Sequence, residues 1–245
     1  IAVHVNDMLV TCNDLPTLAT FKDAVKARFK VKDQGPIHGR EFLGIEVDHD
    51  QPRGIVSLYC DRFLQDTLVK LGIKIGDLYP ASTPIAPSDK TIPPQPASTM
   101  ENPPSWDLPN LSGCLTYATS ICRPDLAVSA SLMSSTDWNN ITTQNVEHGD
   151  RSLRYVVGTL QKYPKLGLRY NRDVFDNDQD ALTLLCYADS DHAGDQKTCR
   201  SRSGHAIYLA NSLVYWLSKL QATIALSSTS AEIASLSDLC RQLVR

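Results

Sequence analysis

A chain of 245 residues with 42% hydrophobic and 21% charged side chains is long enough for one large domain or two modest ones, and too apolar to be disordered. It contains no run of eighteen apolar residues, which excludes a membrane-spanning helix, and its net charge of −3 excludes a generally basic polyanion binder, so any nucleic-acid contact has to come from local patches. Seven scattered cysteines without a Cys-x-x-Cys pair, and no charged leader, predict reduced thiols and an intracellular protein, cytoplasmic or nuclear, without a signal peptide; Ile1 lies inside an apolar run, so the chain reads as cut from something longer.

Residues 1–10 are apolar on either side of Asn6-Asp7, which predicts a β-hairpin turning at that pair. Asn13-Asp-Leu-Pro16 starts a helix whose Leu18, Phe21, Val25 and Phe29 form one apolar stripe, with Lys22, Lys26 and Arg28 among the polar positions; a core-facing helix accounts for it. Strands over 41–47 and 54–59 follow, parted by a loop with Pro52, and then an amphipathic helix carrying Phe63, Leu64, Thr67, Leu68 and Leu71, ended by Gly72. Nine of the 14 prolines fall between Pro80 and Pro109, including Pro93-Pro94 and Pro103-Pro104, which predicts a connector over 80–110. Helices over 111–121, 125–135 and 143–161 come next, broken and restarted at Arg123-Pro124-Asp125, and the acidic stretch 171–180 is a boundary loop. His148, on the third of these helices, is given no catalytic role.

The chemistry concentrates over 182–233. A strand-like run from Leu182 ends in Asp189-Ser-Asp191-His-Ala-Gly-Asp195; apolar on both faces, it reads as a central strand that presents a carboxylate at its end. After a polar turn over 194–202, strands over 203–210 and 212–218 meet at a tight connection around Ala210-Asn-Ser. A helix then begins near Ser227-Ser-Thr-Ser-Ala-Glu232. This order of strand, strand, strand and helix can build a divalent-metal site from Asp189 and Glu232.

Competing explanations exist for the same residues. Thr229-Ser-Ala-Glu232 fits a capping box, and Asp189 fits a turn after a strand. A calcium loop fails at Ala193 and Arg200, which stand where it needs a ligand and a bidentate glutamate. A phosphate-transferring site with Asp189 as nucleophile would need a downstream lysine and further carboxylates. Lys197, Arg200 and Arg202 in the polar turn are candidate phosphate contacts, and a solvated basic turn explains them as simply.

Several long motifs resemble one family. Tyr187-Ala-Asp189-Ser-Asp191-His-Ala-Gly-Asp195, Val214-Tyr-Trp216-Leu-Ser-Lys219-Leu-Gln221 and Ala225-Leu-Ser-Ser-Thr-Ser-Ala-Glu232 are similar to the ribonuclease H region of copia-type LTR-retrotransposon Pol polyproteins. Upstream, Phe42-Leu-Gly-Ile-Glu-Val47 and Arg154-Tyr-Val-Val-Gly-Thr-Leu160 resemble the same family's polymerase and connection segments. The resemblance implies an α+β protein: a reverse-transcriptase palm and start of thumb over 1–79, a Pro-rich linker over 80–110, a helical connection over 111–180, and an incomplete ribonuclease H-like mixed sheet with a helix over 181–245.

The resemblance also implies roles. Asp189 and Glu232 correspond to the first two metal-binding carboxylates of the hybrid-cleaving site, with Mg2+ or Mn2+ as the ion; an RNA–DNA hybrid or template-primer and the rest of the Pol polyprotein are the implied partners, with no membrane. Asp7 corresponds to the second aspartate of the polymerase turn. Asn6 replaces the first, a neutral amide where a hard cation wants a carboxylate, and His4 replaces the tyrosine. The family's third ribonuclease H aspartate lies beyond Arg245, and Ser230 stands where glutamate is usual. Two-metal hydrolysis needs carboxylates enough to hold two ions about 3.5–4 Å apart, so the expected function is that of a catalytically inactive reverse transcriptase/ribonuclease H segment. The alternatives are an active hybrid nuclease and a non-catalytic nucleic-acid-binding remnant.

Overall fold

The computed structural model describes residues 1–86, 96–97, 100, 104–172, 183–195 and 197–244 of a protein of mixed α and β structure. It opens with a hairpin of β1 (Ala2–His4) and β2 (Asp7–Leu9), followed by α1 (Leu15–Arg28). The hairpin turns at Val5-Asn6, one residue earlier than expected: pairing Ala2 with Leu9 and Val3 with Met8 sets the register, so Asp7 faces His4 inside the ladder. Val5 is driven to φ 51, a left-handed conformation that a β-branched residue rarely holds. In α1, Asp14 caps the helix by accepting from the Thr17 amide at 2.8 Å, and Pro16 sits in the first turn. Its stripe is not core-facing as expected. No residue of α1 is fully buried, Leu18, Phe21 and Val25 are half-buried, and Phe29 is 65% exposed.

A four-stranded antiparallel sheet follows, ordered β3 (Arg40–Phe42), β4 (Ile45–Asp50), β5 (Ile55–Tyr59) and β6 (Gly167–Asn171). The run read as one strand over 41–47 is two strands joined at Leu43-Gly44. Both residues have positive φ (53 and 70), the geometry of a two-residue hairpin. Leucine is a poor residue for that turn; its carbonyl is held by the Tyr117 hydroxyl at 2.5 Å. The strand at 167–171, read from sequence only as part of the connection, pairs with β5 along its whole length.

Helix α2 (Asp61–Lys70) matches its predicted stripe, with Leu64, Thr67 and Leu68 buried. It stops as Gly72 predicts: at φ 72 the chain turns so that the Ile73 amide donates to the Leu68 carbonyl and the Gly72 amide to the Val69 carbonyl. Helices α3 (Leu108–Ile121), α4 (Ala127–Ser134) and α5 (Thr143–Lys162) also appear where expected, with a 3-10 turn at Pro124–Leu126 between the first two. They share one hydrophobic cluster with α2 and β6, built from Leu64, Leu68, Leu111, Leu115, Leu153 and Leu168 among others.

The described parts of the Pro-rich stretch lie along α5. Ala81 donates its amide to the Arg154 carbonyl, Arg154 reaches the Tyr79 carbonyl, and Arg151 reaches the Thr83 hydroxyl. Gly149 leaves room for Trp106 and Leu108, whose atoms lie 2.6 and 2.7 Å from where a Cβ would stand. Pro93-Pro94, Pro103 and most of the acidic loop over 171–180 lie outside the described residues.

The last unit is a three-stranded sheet in the order β7 (Leu184–Asp191), β8 (Arg202–Leu209) and β9 (Ser212–Leu220), followed by α6 (Ser228–Leu243). Among the described residues it is antiparallel throughout rather than mixed, since short turns join strands that neighbour each other in sequence. The Ala210-Asn211 turn falls where the sequence puts it, both residues having positive φ. Among the described residues β7 is an edge strand, not a central one, and Leu184, Leu185 and Tyr187 are exposed at 47, 42 and 58%. This sheet meets the other through the Tyr170 hydroxyl on the Leu213 carbonyl (3.2 Å), and meets α3 through the Trp216 indole N–H on the Thr119 carbonyl (2.7 Å).

Candidate functional site

The C-terminal end of β7 presents Asp189, and α6 packs against that strand and presents Glu232. Ala231, Ser235 and Leu239 make the buried stripe of α6, recurring every four residues. Glu232 follows Ala231 and is turned out to solvent. Its capping role is overturned: the cap is Ser227, whose hydroxyl accepts from the Ser230 amide at 3.1 Å, so Glu232 is the fifth helical residue and cannot reach back to the cap. Serine is the better cap of the two types, and capping at Ser227 rather than Thr229 adds two residues to the helix.

A seam of buried polar groups sets α6 against the sheet. The Ser235 hydroxyl donates to the Asp189 carbonyl at 2.8 Å, and His205 Nε2 lies 2.9 Å from the Ser235 carbonyl. One turn earlier, Gln221 Nε2 reaches the Ala231 carbonyl and the Ser203 hydroxyl, each at 3.0 Å. Glu232 is thus flanked by two anchors, and one of them holds the backbone of Asp189 itself. Sequence reading missed Ser235, His205 and Gln221 as a group; the four-residue spacing of Ala231, Ser235 and Leu239 was the available signal for Ser235.

Truncating Ser235 to alanine removes a hydrogen bond between the helix and the strand that carry the two carboxylates. We expect urea unfolding to show a loss of about 1 kcal/mol, with the slope of the transition unchanged. A midpoint identical to wild type would show that the seam contributes nothing.

Of the other acidic residues of the cluster, Asp195 is held within its turn, and Asp191 is exposed with its carboxylate folded over the same turn. The Asp191 carboxylate folds over its own turn, lying 1.9 Å from where a Cβ on Gly194 would stand, and Asp195 accepts from the Thr198 amide at 3.2 Å. Neither Asp189 nor Glu232 has a side-chain partner among the described residues, and both are exposed. Asp7 is exposed on the separate two-stranded sheet. Two free carboxylates supply hard oxygen donors suited to a divalent ion. No group of three His, Cys, Asp or Glu side chains converges among the described residues.

The three basic candidates have different surroundings. Lys197 forms an ion pair with Asp137 at 2.9 Å, and Arg200 is half-buried. Arg202 is not in the turn but opens β8 opposite Asp191; it is 8% exposed, and its guanidinium lies on the Ser131 and Ser135 hydroxyls of α4 and the residue that ends it. Burial pulls this guanidinium below its usual range, opposed by Asp195 and Asp191.

The family model described as reverse transcriptase (RNA-dependent DNA polymerase) matches residues 1–87. The retrovirus-related Pol polyprotein from transposon RE1 of Arabidopsis thaliana is 30% identical over 241 residues, which is 98% of this chain and 15% of that protein. The corresponding polyprotein from transposon RE2 is 32% identical over 249 residues, again 98% and 15%. An uncharacterized mitochondrial protein of the same plant is 28% identical over 234 residues, 96% of this chain and 88% of its own length. The chain spans about 15% of the two polyproteins it resembles. No solved structure matches it significantly.

Proposed function

Because the chain belongs to the copia-type retrovirus-related Pol polyproteins of transposons, we propose that it is the part of such a polyprotein in which the reverse-transcriptase palm and thumb (1–79) pass through a Pro-rich linker (80–110) and connection helices (111–180) into a ribonuclease H-like unit (181–245). In this reading its nucleic-acid partner is a template-primer or RNA–DNA hybrid, and the rest of the Pol polyprotein is its protein partner. Asp189 and Glu232 hold a divalent ion, Mg2+ or Mn2+, that would neutralise charge on a scissile phosphate. The observation that carries this is the placement of two unpartnered carboxylates, one on a strand end and one on a helix, with Ser235 tying the two elements together.

Catalysis by this chain alone is not part of the proposal. Asn6 in the polymerase turn removes a full negative charge from a hard-cation site, and the described residues bring together too few carboxylates for two-metal hydrolysis.

The test is Mg2+- and Mn2+-dependent cleavage of a labelled RNA–DNA hybrid, beside Asp189→Asn, together with Mn2+ broadening of backbone amide signals. We expect no cleavage by either protein. Mn2+ broadens the signals around 189 and 232 together in the wild type and neither in the variant. Cleavage lost in Asp189→Asn would make the chain a complete nuclease. Broadening elsewhere, with 189 and 232 untouched, would remove the metal role of both carboxylates.

A further inference from the structure

We propose that the exposed cationic strip over 26–32 is the chain's contact surface for nucleic-acid phosphates, an inference that rests on the nucleic-acid reading above. Residues 22–33 hold five cations and two carboxylates, a net +3 in a chain whose total is −3, so the remaining residues carry −6. Lys26, Arg28, Lys30 and Lys32 are all exposed, and none has an ion-pair partner among the described residues. Lys22 is the member that is neutralised, by Asp33 at 3.0 Å. The Asp33 carboxyl is held below its usual range first by the Gly35 amide, then by Lys22, with Lys26 adding a weaker pull.

Lys26 and Arg28 alone would have a simpler explanation, since cations in the last turn of a helix offset its dipole. Lys30 and Lys32 lie beyond the helix and gain nothing from it. The chain leaves α1 at Phe29 in an extended conformation (φ −134, ψ 144). Phe29 and Val31, 65 and 46% exposed, alternate with the lysines. Cations interleaved with an exposed aromatic are suited to a phosphate backbone and to stacking on an unpaired base. An anionic membrane would also attract the charges, but a helix that lies on a membrane needs an exposed apolar face, and Leu18, Phe21 and Val25 of α1 are half-buried in the protein. The polar turn after β7 is a poorer phosphate surface, with Lys197 paired and Arg202 buried.

The experiment is fluorescence anisotropy of a labelled RNA–DNA hybrid, titrated with the full chain across a range of salt, for wild type and for Lys26→Gln/Arg28→Gln/Lys30→Gln/Lys32→Gln. A second variant, Lys70→Gln/Lys74→Gln/Lys162→Gln, removes exposed cations elsewhere. With each phosphate contact contributing roughly 0.9 to the slope of log affinity against log salt, the strip variant, four cations fewer, should bind with a slope shallower by about 3.6. The second variant should keep most of the wild-type slope. Equal slopes for wild type and strip variant overturn the proposal while leaving nucleic-acid binding intact. No hybrid binding by wild type at any salt overturns the nucleic-acid reading and the proposal together. Strip-dependent binding to phosphatidylserine vesicles without hybrid binding makes the surface a lipid contact instead. Circular dichroism should be the same for all three proteins, because every substituted side chain is exposed.

Discussion

Asp125→Ala should lower the free energy of unfolding by about 3 kcal/mol, one of the two largest effects we expect from a single substitution here. Arg123 is completely buried, and its guanidinium grips Asp125 with two parallel bonds, Nε to Oδ1 at 2.9 Å and Nη2 to Oδ2 at 2.7 Å; Nη2 also reaches the Thr159 hydroxyl at 3.1 Å. Burial favours the neutral guanidine, and the hydrogen bond and charge of Asp125 reverse that, holding the group above its usual range. Beside them burial, and then the Asp125 charge, push the Tyr155 hydroxyl up to about 12. Removing the carboxylate leaves a desolvated cation in the middle of the helical cluster. The Asp125 side chain is 26% exposed, so water relieves part of the cost and the loss falls at the low end of the range for broken buried pairs. Replacing both partners, as Arg123→Met/Asp125→Leu, removes the charge as well as its partner and should recover most of the stability. Urea unfolding of the three proteins checks this, and an Asp125→Ala midpoint within about 0.5 kcal/mol of wild type would show the pair to be dispensable.

The Arg123-Pro124-Asp125 break illustrates what could and could not be read from the chain. The proline announces a helix restart, and the structure has one; that the flanking charges close a buried pair is invisible, because nothing local marks Arg123 as inside. The Ala210-Asn211 hairpin was legible since two alternating runs meet at a short connection with asparagine in it. The Leu43-Gly44 turn was not, because its stability comes from Tyr117, far away in sequence. Strand β6 was absorbed into the connection for the same reason: it is a strand through its pairing with β5, not through its own short pattern. At the candidate site, Asp189 and Glu232 come from motif resemblance alone. Their support was not legible, since Ser235, His205 and Gln221 are polar residues whose role appears only when α6 lies on the sheet. The exposure of β7, which reads as a buried strand, is the reverse case: its apolar side chains lack the second neighbour their pattern anticipates among the described residues.

Gly167→Ala is the other substitution with a large expected effect, because the added carbon would stand 2.0 Å from the Leu58 carbonyl oxygen and 3.0 Å from the Tyr59 Cα. Those atoms are backbone of the neighbouring strand, so no side chain can swing aside. Gly167 is paired with Tyr59 at the first position of the β5–β6 ladder. Either that end of the ladder opens or both strands shift, and in each case the adjoining core residue Leu168, 6% exposed, moves out of register. A loss of about 3 kcal/mol follows from overpacking together with one or two broken backbone bonds. The consequence reaches the sheet that carries the candidate site, because Tyr170 on the same strand bonds the Leu213 carbonyl of β9 and so joins the two sheets. Hydrogen exchange should therefore show faster amides on β6 first and then at the Leu213 end of β9, while the Asp189 end of β7, held by Ser235, keeps its protection. Uniform acceleration across the whole protein would mean that the two sheets open as one unit and that the Tyr170 bond is not a separable joint.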